Sequence, residues 1–115
     1  MSLSERDRSR LEEMCDLLEE IQKDRLAIKN NKEFSDRSLV ARAIAFDFEQ
    51  LGEIAGRMSE EFLFAHPNFP LRYMKGFRNI LVYDYAHLDL KVLETTLYGD
   101  VDNLLDLIKA YLAEK

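Results

Sequence analysis

The scarcity of helix-breaking residues constrains the fold of this chain more than any other sequence feature. Its 115 residues include only two prolines and four glycines, so the segments between them are long and uninterrupted. Both prolines fall in one short stretch, His66-Pro67-Asn68-Phe69-Pro70. Because proline disfavours a helical conformation in the residue before it, this stretch is predicted to be the clearest break in a helical chain.

Apolar residues recur at helical spacing on either side of that break. The pattern predicts helices over residues 4–30, 35–65, 70–85, 89–97 and 101–113. Ser4 and Asp89 are the expected caps of the first helix and of the short fourth helix, and Tyr98-Gly99-Asp100 is expected to break the chain again. We therefore predict an all-α fold, an antiparallel bundle of about five helices, two long and three shorter. No repeat or linker divides the chain, so residues 1–115 are expected to form one domain.

The predicted second helix carries two apolar faces. One face comprises Val40, Ile44, Phe48, Leu51, Ala55, Met58 and Phe62, and the other comprises Leu39, Ala43 and Phe46. Two such faces imply two packing partners, the bundle itself and a second subunit, and so predict a homodimer. Gly52 and Gly56, four residues apart, either let another helix approach closely or provide local flexibility.

The charge of the chain limits how it can bind nucleic acid. The net charge is −6, and phosphate contacts supply most nonspecific nucleic-acid affinity, so an RNA site must be a local basic patch. Arg72, Lys75 and Asn79 follow one another at steps of three and four in the predicted third helix, with Arg78 beside them. This surface is either a phosphate-binding site or a solvated basic face, and the overall acidity also suits a basic protein partner.

Cysteine usage and hydropathy point to the cytoplasm. Cys15 is the only cysteine, so no intramolecular disulfide can form, and its apolar neighbours predict a buried side chain rather than a nucleophile. No apolar run approaches the length of a membrane span, and the N-terminus does not resemble a signal peptide. The acidic residues of the first helix are interpreted as a solvated face, so no metal and no membrane association are expected.

Residues 76–85, GFRNILVYDY, resemble the signature of the HepT-like toxins of the HEPN (higher eukaryote and prokaryote nucleotide-binding) superfamily. That signature is an arginine, a polar residue that is usually asparagine, three further residues, a histidine, one residue and a tyrosine. Arg78, Asn79 and Tyr85 match it, and Tyr83 stands where the family has histidine. Residues 51–59 are similar to the central helix of the family and residues 66–70 to the turn before the signature, so the similarity runs from about residue 11 to residue 112.

The resemblance implies a dimer of HEPN-type bundles in which the signature arginines and histidines face a shared cleft and cleave RNA without a metal or cofactor. It also implies a type VII toxin–antitoxin pair, in which a minimal nucleotidyltransferase antitoxin neutralises the ribonuclease by AMPylation of the signature tyrosine. Arg78, Asn79 and Tyr83 are then the candidate catalytic residues, and Tyr85 is the candidate AMP acceptor. The candidate RNA contacts are Arg72, Lys75 and His87.

The presence of Tyr83 at the histidine position leaves open whether the chain cleaves RNA. A phenol titrates near pH ~10 and is a weak base at neutral pH, and losing general acid–base help typically costs about 10²–10⁴-fold in rate. His87 is an alternative base, although it lies nine residues after Arg78. On an ideal helix Arg78 and Tyr85 share a face, whereas Arg78 and Tyr83 point roughly 140° apart, which a two-fold dimer or a helix ending near Tyr83 would relieve.

Three functions remain open at this point. The first is a ribonuclease toxin whose activity is retained or is weakened by Tyr83. The second is a catalytically silent HEPN module that binds a nucleotide or a nucleotidyltransferase. The third is a structural helical dimer with no active site.

Overall fold

The structure is a computed structural model that describes residues 3–28 and 38–115. The described residues contain helices and turns but no strand, so the predicted all-α fold is confirmed. The α-helices are α1 (Glu5–Asp24), α2 (Leu39–Ala55), α3 (Glu60–Ala65), α4 (Leu71–Tyr83), α5 (Leu90–Thr95) and α6 (Val101–Ala113). The predicted break at residues 66–70 separates α3 from α4, and no helix in the described parts is long and apolar enough to cross a membrane.

The first helix starts where the sequence predicts and ends earlier. The Ser4 hydroxyl accepts a hydrogen bond from the Asp7 backbone N–H at 3.1 Å, as expected of an N-cap. α1 ends at Asp24, and a 3₁₀ turn at Arg25–Ala27 follows it. Residues 29 and 30, the predicted end of this helix, lie outside the described residues.

The prediction of one continuous helix over residues 35–65 is wrong, because α2 ends at Ala55 and α3 begins at Glu60. Ser59 caps α3 by accepting a hydrogen bond from the Phe62 backbone N–H. The buried Asp7 carboxylate in turn accepts hydrogen bonds from the backbone and side chain of Ser59, at 3.0 and 2.5 Å. The backbone N–H of Ser59, at the start of α3, is therefore hydrogen-bonded. The spacing of apolar residues alone gives no sign that a helix starts here. Residues 35–37, the predicted start of the helix, lie outside the described residues.

The predicted break at Tyr98-Gly99-Asp100 is also wrong. A π-helical turn, Thr96–Asp100, joins α5 to α6, so the two run as one continuous helical segment. Arg25 donates a hydrogen bond to the Leu97 carbonyl at 3.1 Å and forms an ion pair with Asp102 at 3.0 Å. These contacts hold the wide turn in place, so the weak helix preference of glycine does not decide the local structure. Counted this way, the described residues contain five helical segments, which is the predicted number, although one predicted helix is divided and two are joined.

The core contains most of the apolar residues that helical spacing predicts, but Val40 of the predicted second helix is only half-buried. The buried members are Leu11, Met14, Leu18, Ile21, Ile44, Phe48, Leu51, Ala55, Met58, Phe62, Met74, Phe77, Leu81, Val101, Leu104, Leu105 and Ile108. Cys15 is buried as well, and its burial raises the pKa of the thiol, as the prediction of an unreactive side chain requires.

The second apolar face of α2 is uncovered in the single chain. Leu39 is 77% exposed and Phe46 is 58% exposed, and Ala43 between them is exposed too. Large apolar side chains grouped in this way are typical of an interaction surface. The homodimer stays a prediction, and the single-domain organisation over residues 1–115 does too.

The two glycines of the central region serve close packing. α4 packs more extensively against α2 than any other pair of the described helices does. A Cβ atom added at Gly52 would lie 2.2 Å from the Arg78 Cβ and 2.7 Å from the Met74 carbonyl oxygen. One added at Gly56 would lie 3.5 Å from the Lys75 side chain. Of the two interpretations of this glycine pair, close helix approach is confirmed at Gly52, whereas a Cβ atom at Gly56 would make only an ordinary contact with Lys75.

We predict that Gly52→Ala lowers the free energy of unfolding by about 1–3 kcal/mol, the usual cost of forcing extra atoms into a packed interface. Gly76→Ala is the matched control, because an alanine Cβ at this exposed α4 position meets no atom within 4 Å. That control should raise the free energy of unfolding by about 0.5–1 kcal/mol, since glycine weakens a helix interior. Urea unfolding measures both, and a Gly52→Ala protein as stable as the wild type would refute the tight contact.

Candidate functional site

A shallow cleft of about 150 Å³ lies along the seam between α2 and α4. The cleft is lined by Gly52, Glu53, Gly56, Arg57, Lys75, Arg78 and Asn79. The first four belong to α2 and the turn just after it, and the other three belong to α4. The structure therefore brings together three predicted site residues, Lys75, Arg78 and Asn79.

Gly52 of α2 and Gly56, directly after α2, lie beneath the cationic side chains of α4. Arg78 crosses α2 at Gly52, and the aliphatic part of Lys75 lies over Gly56. The two glycines are four residues apart, and the two cationic residues are three apart on the facing helix. Each cationic side chain therefore lies opposite one glycine. The missing Cβ atom of Gly52 thus permits the close helix packing, and both glycines line the cleft.

The guanidinium of Arg78 is held by two neighbours. Its Nη2 atom donates to the Glu53 carboxylate, and its Nη1 atom donates to the Asn79 side-chain oxygen at 3.0 Å. The Arg78 side chain is 25% exposed, and its buried Nε has no hydrogen-bond partner among the described residues. Glu53 also lies 3.8 Å from Arg57, so one carboxylate is shared by two arginines.

The cleft is locally basic in an acidic chain. Its lining has three cationic residues and one carboxylate, which gives a local charge of +2 where the whole chain has −6. Arg57 was missed by the sequence analysis because it lies outside the signature stretch. The signal that could have found it is its position four residues after Glu53 and directly after Gly56, within the stretch 51–59 that is similar to the central helix of the family.

Arg72, also predicted to belong to this surface, lies elsewhere. Its guanidinium forms an ion pair with Glu60 of α3 at 3.1 Å, with both side chains exposed, and it does not line the cleft. The basic surface that helical spacing predicts is therefore divided in the structure. Lys75 and Arg78 face α2, whereas Arg72 faces α3.

The end of α4 differs from the prediction, because the helix stops at Tyr83 and not at Tyr85. Asp84 leaves the helical conformation with φ −145° and ψ 29°, and its carboxylate lies 2.7 Å from the His87 Nδ1 atom. A 3₁₀ turn, Tyr85–His87, follows. The helix face that Arg78 and Tyr85 were predicted to share therefore does not exist, because the two residues are not on one helix.

Tyr83 and His87 both lie outside the cleft of their own chain. Tyr83 is the last residue of α4 and is 78% exposed. His87 is exposed in the 3₁₀ turn beside Asp84. Neither side chain lines the cleft that holds Arg78.

Tyr85 lies on the same seam in a neighbouring, more apolar groove of about 310 Å³. This groove is lined by Arg42, Ala45, Phe46, Glu49, Leu81 and Tyr85. The Tyr85 ring is half-buried against the core, and its hydroxyl oxygen is buried. Phe46, from the uncovered face of α2, forms part of the same groove.

These features define a helical bundle with a locally basic cleft in which Arg78 is held in place by its neighbours. A guanidinium and an ammonium group supply permanent positive charge, and Asn79 fixes the guanidinium orientation. The charges of this lining suit electrostatic stabilisation of a phosphate, and no histidine among the described residues lines the cleft to transfer protons.

A family model described as "Ribonuclease HepT-like" matches residues 11–111, which include most of α1, all of α2 to α5, and α6 except its last two residues. The chain therefore belongs to the HepT-like ribonuclease family, and the resemblance found in its sequence is confirmed. Neither the curated proteins nor the solved structures gave a match.

Proposed function

We propose that this chain is a HepT-like ribonuclease toxin that binds the scissile phosphate of RNA in the cleft between α2 and α4. The observation that carries the proposal is the Arg78 guanidinium held by Asn79 in a cleft that Lys75 also lines. Arg78 and Asn79 match the signature of the ribonuclease family to which the chain belongs. RNA supplies the phosphodiester that such a cleft would bind. The residues proposed for catalysis are Arg78, Asn79 and Tyr83.

In this reaction the ribose 2′-oxygen attacks phosphorus and displaces the 5′-oxygen, with a proton leaving the first oxygen and another reaching the second. Arg78 would stabilise the charge that develops on the phosphate, and Asn79 would keep its guanidinium in place. Lys75 would add to phosphate affinity. With no imidazole in the cleft, the proton transfers fall to Tyr83 or to water, so cleavage is expected to be slow.

A homodimer would complete this site. The support is the exposed apolar face of α2, with Leu39 and Phe46, and the position of Tyr83 outside the cleft of its own chain. A two-fold partner that covers this face would place a second signature segment near the first. Light scattering at micromolar concentration should give twice the 13.5 kDa of one chain, and a monomer mass would refute the shared cleft.

We predict that Tyr83→His raises RNA cleavage, by up to about 10²-fold, because it restores a group that titrates near neutral pH. Arg78→Ala should reduce cleavage in both the wild-type and the Tyr83→His protein by about 10²–10³-fold, since it removes the main phosphate donor. The measurement is the initial rate on a fluorescent RNA with purified, metal-free protein.

Arg6→Ala is the matched control, because Arg6 is an exposed arginine of α1 and does not line the cleft. Brisk cleavage that survives Arg78→Ala would show that the site is misassigned. Loss of activity in His87→Ala, with no effect of Tyr83→His, would show that His87 is the base.

The chain is further proposed to be the toxin of a type VII pair, neutralised by a minimal nucleotidyltransferase that transfers AMP to Tyr85. Tyr85 matches the last position of the signature and lies on the same α2–α4 seam as Arg78. The added phosphate would be attracted to Arg78 and Lys75 and would obstruct the cleft. Because the Tyr85 hydroxyl is buried in the single chain, transfer requires the Tyr85–His87 turn to open. The lone reduced cysteine fits a cytoplasmic location for this pair.

We predict that the cognate nucleotidyltransferase with ATP and magnesium adds one adenylate to Tyr85, and that this modification disappears in Tyr85→Phe. Tyr83→Phe is the control, since it removes the neighbouring exposed phenol and should leave the modification intact. Peptide mass spectrometry locates the adenylate. Modification only at Tyr83 or Tyr73, or none by a nucleotidyltransferase proven active on another substrate, would contradict the assignment.

One observation favours a second candidate function, a catalytically silent module that binds a nucleotide or a nucleotidyltransferase. The cleft is equipped to bind phosphate, but the residue at the histidine position of the signature is an exposed phenol outside it. Such a module would bind an oligoribonucleotide through Arg78 and leave it intact in both the wild-type and the Tyr83→His protein.

A further inference from the structure

We propose that Glu53 is the positioning residue of the cleft and that it holds the Arg78 guanidinium in the orientation in which it meets the phosphate. The inference rests on the proposed ribonuclease function and deepens it. The observation is the ion pair between the Glu53 carboxylate and Arg78 Nη2, in a cleft whose purpose would be to bind an anion. A carboxylate at this position repels a phosphate by its negative charge. We therefore expect Glu53 to have a role other than contact with the phosphate.

The geometry gives Glu53 that role. Gly52 lets the stem of Arg78 cross α2, and Glu53, the next residue on α2, meets the guanidinium at the end of that stem. Asn79 holds the other terminal nitrogen of Arg78 at 3.0 Å. With both terminal nitrogens engaged, the guanidinium plane is fixed, and the remaining N–H groups keep one orientation.

The local charges give a second reason for a carboxylate at this position. Arg57 and Arg78 converge on the same carboxylate, and Lys75 lies in the same cleft. Without Glu53 the three cations would repel one another, and the long side chain of Arg78 would turn towards solvent. The pair is partly shielded, with Arg78 25% and Glu53 41% exposed, so water weakens it less than it weakens a surface ion pair.

This role predicts opposite effects on turnover and on binding. Removing the carboxylate makes the cleft more positive, which strengthens ground-state binding of RNA. The same change releases Arg78, and a misplaced catalytic group can cost about 10²-fold in rate. If the role of Glu53 were purely structural, its removal would lower stability and would not change kcat separately from KM. If its role were purely inhibitory, its removal would raise kcat.

The experiment compares Glu53→Ala and Glu53→Gln in the Tyr83→His protein, where cleavage is expected to be easier to measure. Glu53→Ala should lower kcat by about 10–10²-fold while KM stays constant or falls. Glu53→Gln keeps an oxygen that accepts from Arg78, so it should recover a large part of kcat. Glu19→Ala is the matched control, because it removes one exposed glutamate from α1, outside the cleft, and should leave both constants unchanged.

A second measurement does not depend on cleavage. Nitrogen-15 NMR of the arginine side chains, with Arg78 assigned through Arg78→Lys, reports rotation of the guanidinium. Restricted rotation is expected in the wild type and in Glu53→Gln, and fast rotation in Glu53→Ala. Thermal unfolding verifies that each variant is folded.

A folded Glu53→Ala protein with unchanged or higher kcat would overturn the inference, and so would an Arg78 side chain that is equally restrained without Glu53. If neither the wild-type nor the Tyr83→His protein cleaves RNA, the proposed function is wrong. The NMR measurement then decides by itself whether Glu53 positions Arg78.

Discussion

The close approach of α4 to Gly52 is the contact on which the rest of the site depends. Only a residue without a Cβ atom leaves room for the stem of Arg78 and the Met74 carbonyl against α2. Beneath this contact Phe48 and Phe77 pack with ring centroids 5.6 Å apart, which joins the same two helices through the core. The geometry that stabilises the bundle therefore also sets the position of the cation proposed for catalysis.

The two sides of α2 differ in charge. The groove between α1 and α2 is walled by Glu13, Asp16 and Glu20, whereas the groove between α2 and α4 carries a local excess of positive charge. Near the acidic groove, burial, a hydrogen bond to Asp24 and repulsion from Asp24 and Glu20 raise the pKa of Asp47 to about 7. A field of this form would repel RNA from one face and direct it to the other, which reconciles the acidity of the chain with the proposed binding of phosphate in the cleft.

Much of the fold could be predicted from the sequence because its signals are local. Few helix breakers and regular apolar spacing indicate an all-α bundle, and Ser4 and Asp89 cap the helices that the sequence assigns to them. The predicted helix boundaries are wrong where a residue distant in the sequence determines the local structure. The break after Ala55 depends on Asp7, far away in the chain, and the π-helical turn depends on Arg25. The same holds for the candidate site. Arg78, Asn79 and Lys75 belong to one stretch of sequence and could be predicted together, whereas Glu53 and Arg57 come close to them only through helix packing.

The central claim is that the α2–α4 cleft binds the phosphate of RNA, and a crystal structure with a 2′-O-methyl oligoribonucleotide tests it most directly. This ligand lacks the 2′-hydroxyl proton and cannot be cleaved, so the result does not depend on how active Tyr83 leaves the protein. We expect a phosphate within hydrogen-bonding distance of the Arg78 guanidinium and close to Lys75, above Gly52 and Gly56. An oligoribonucleotide bound to another face, with the cleft empty, would contradict the account.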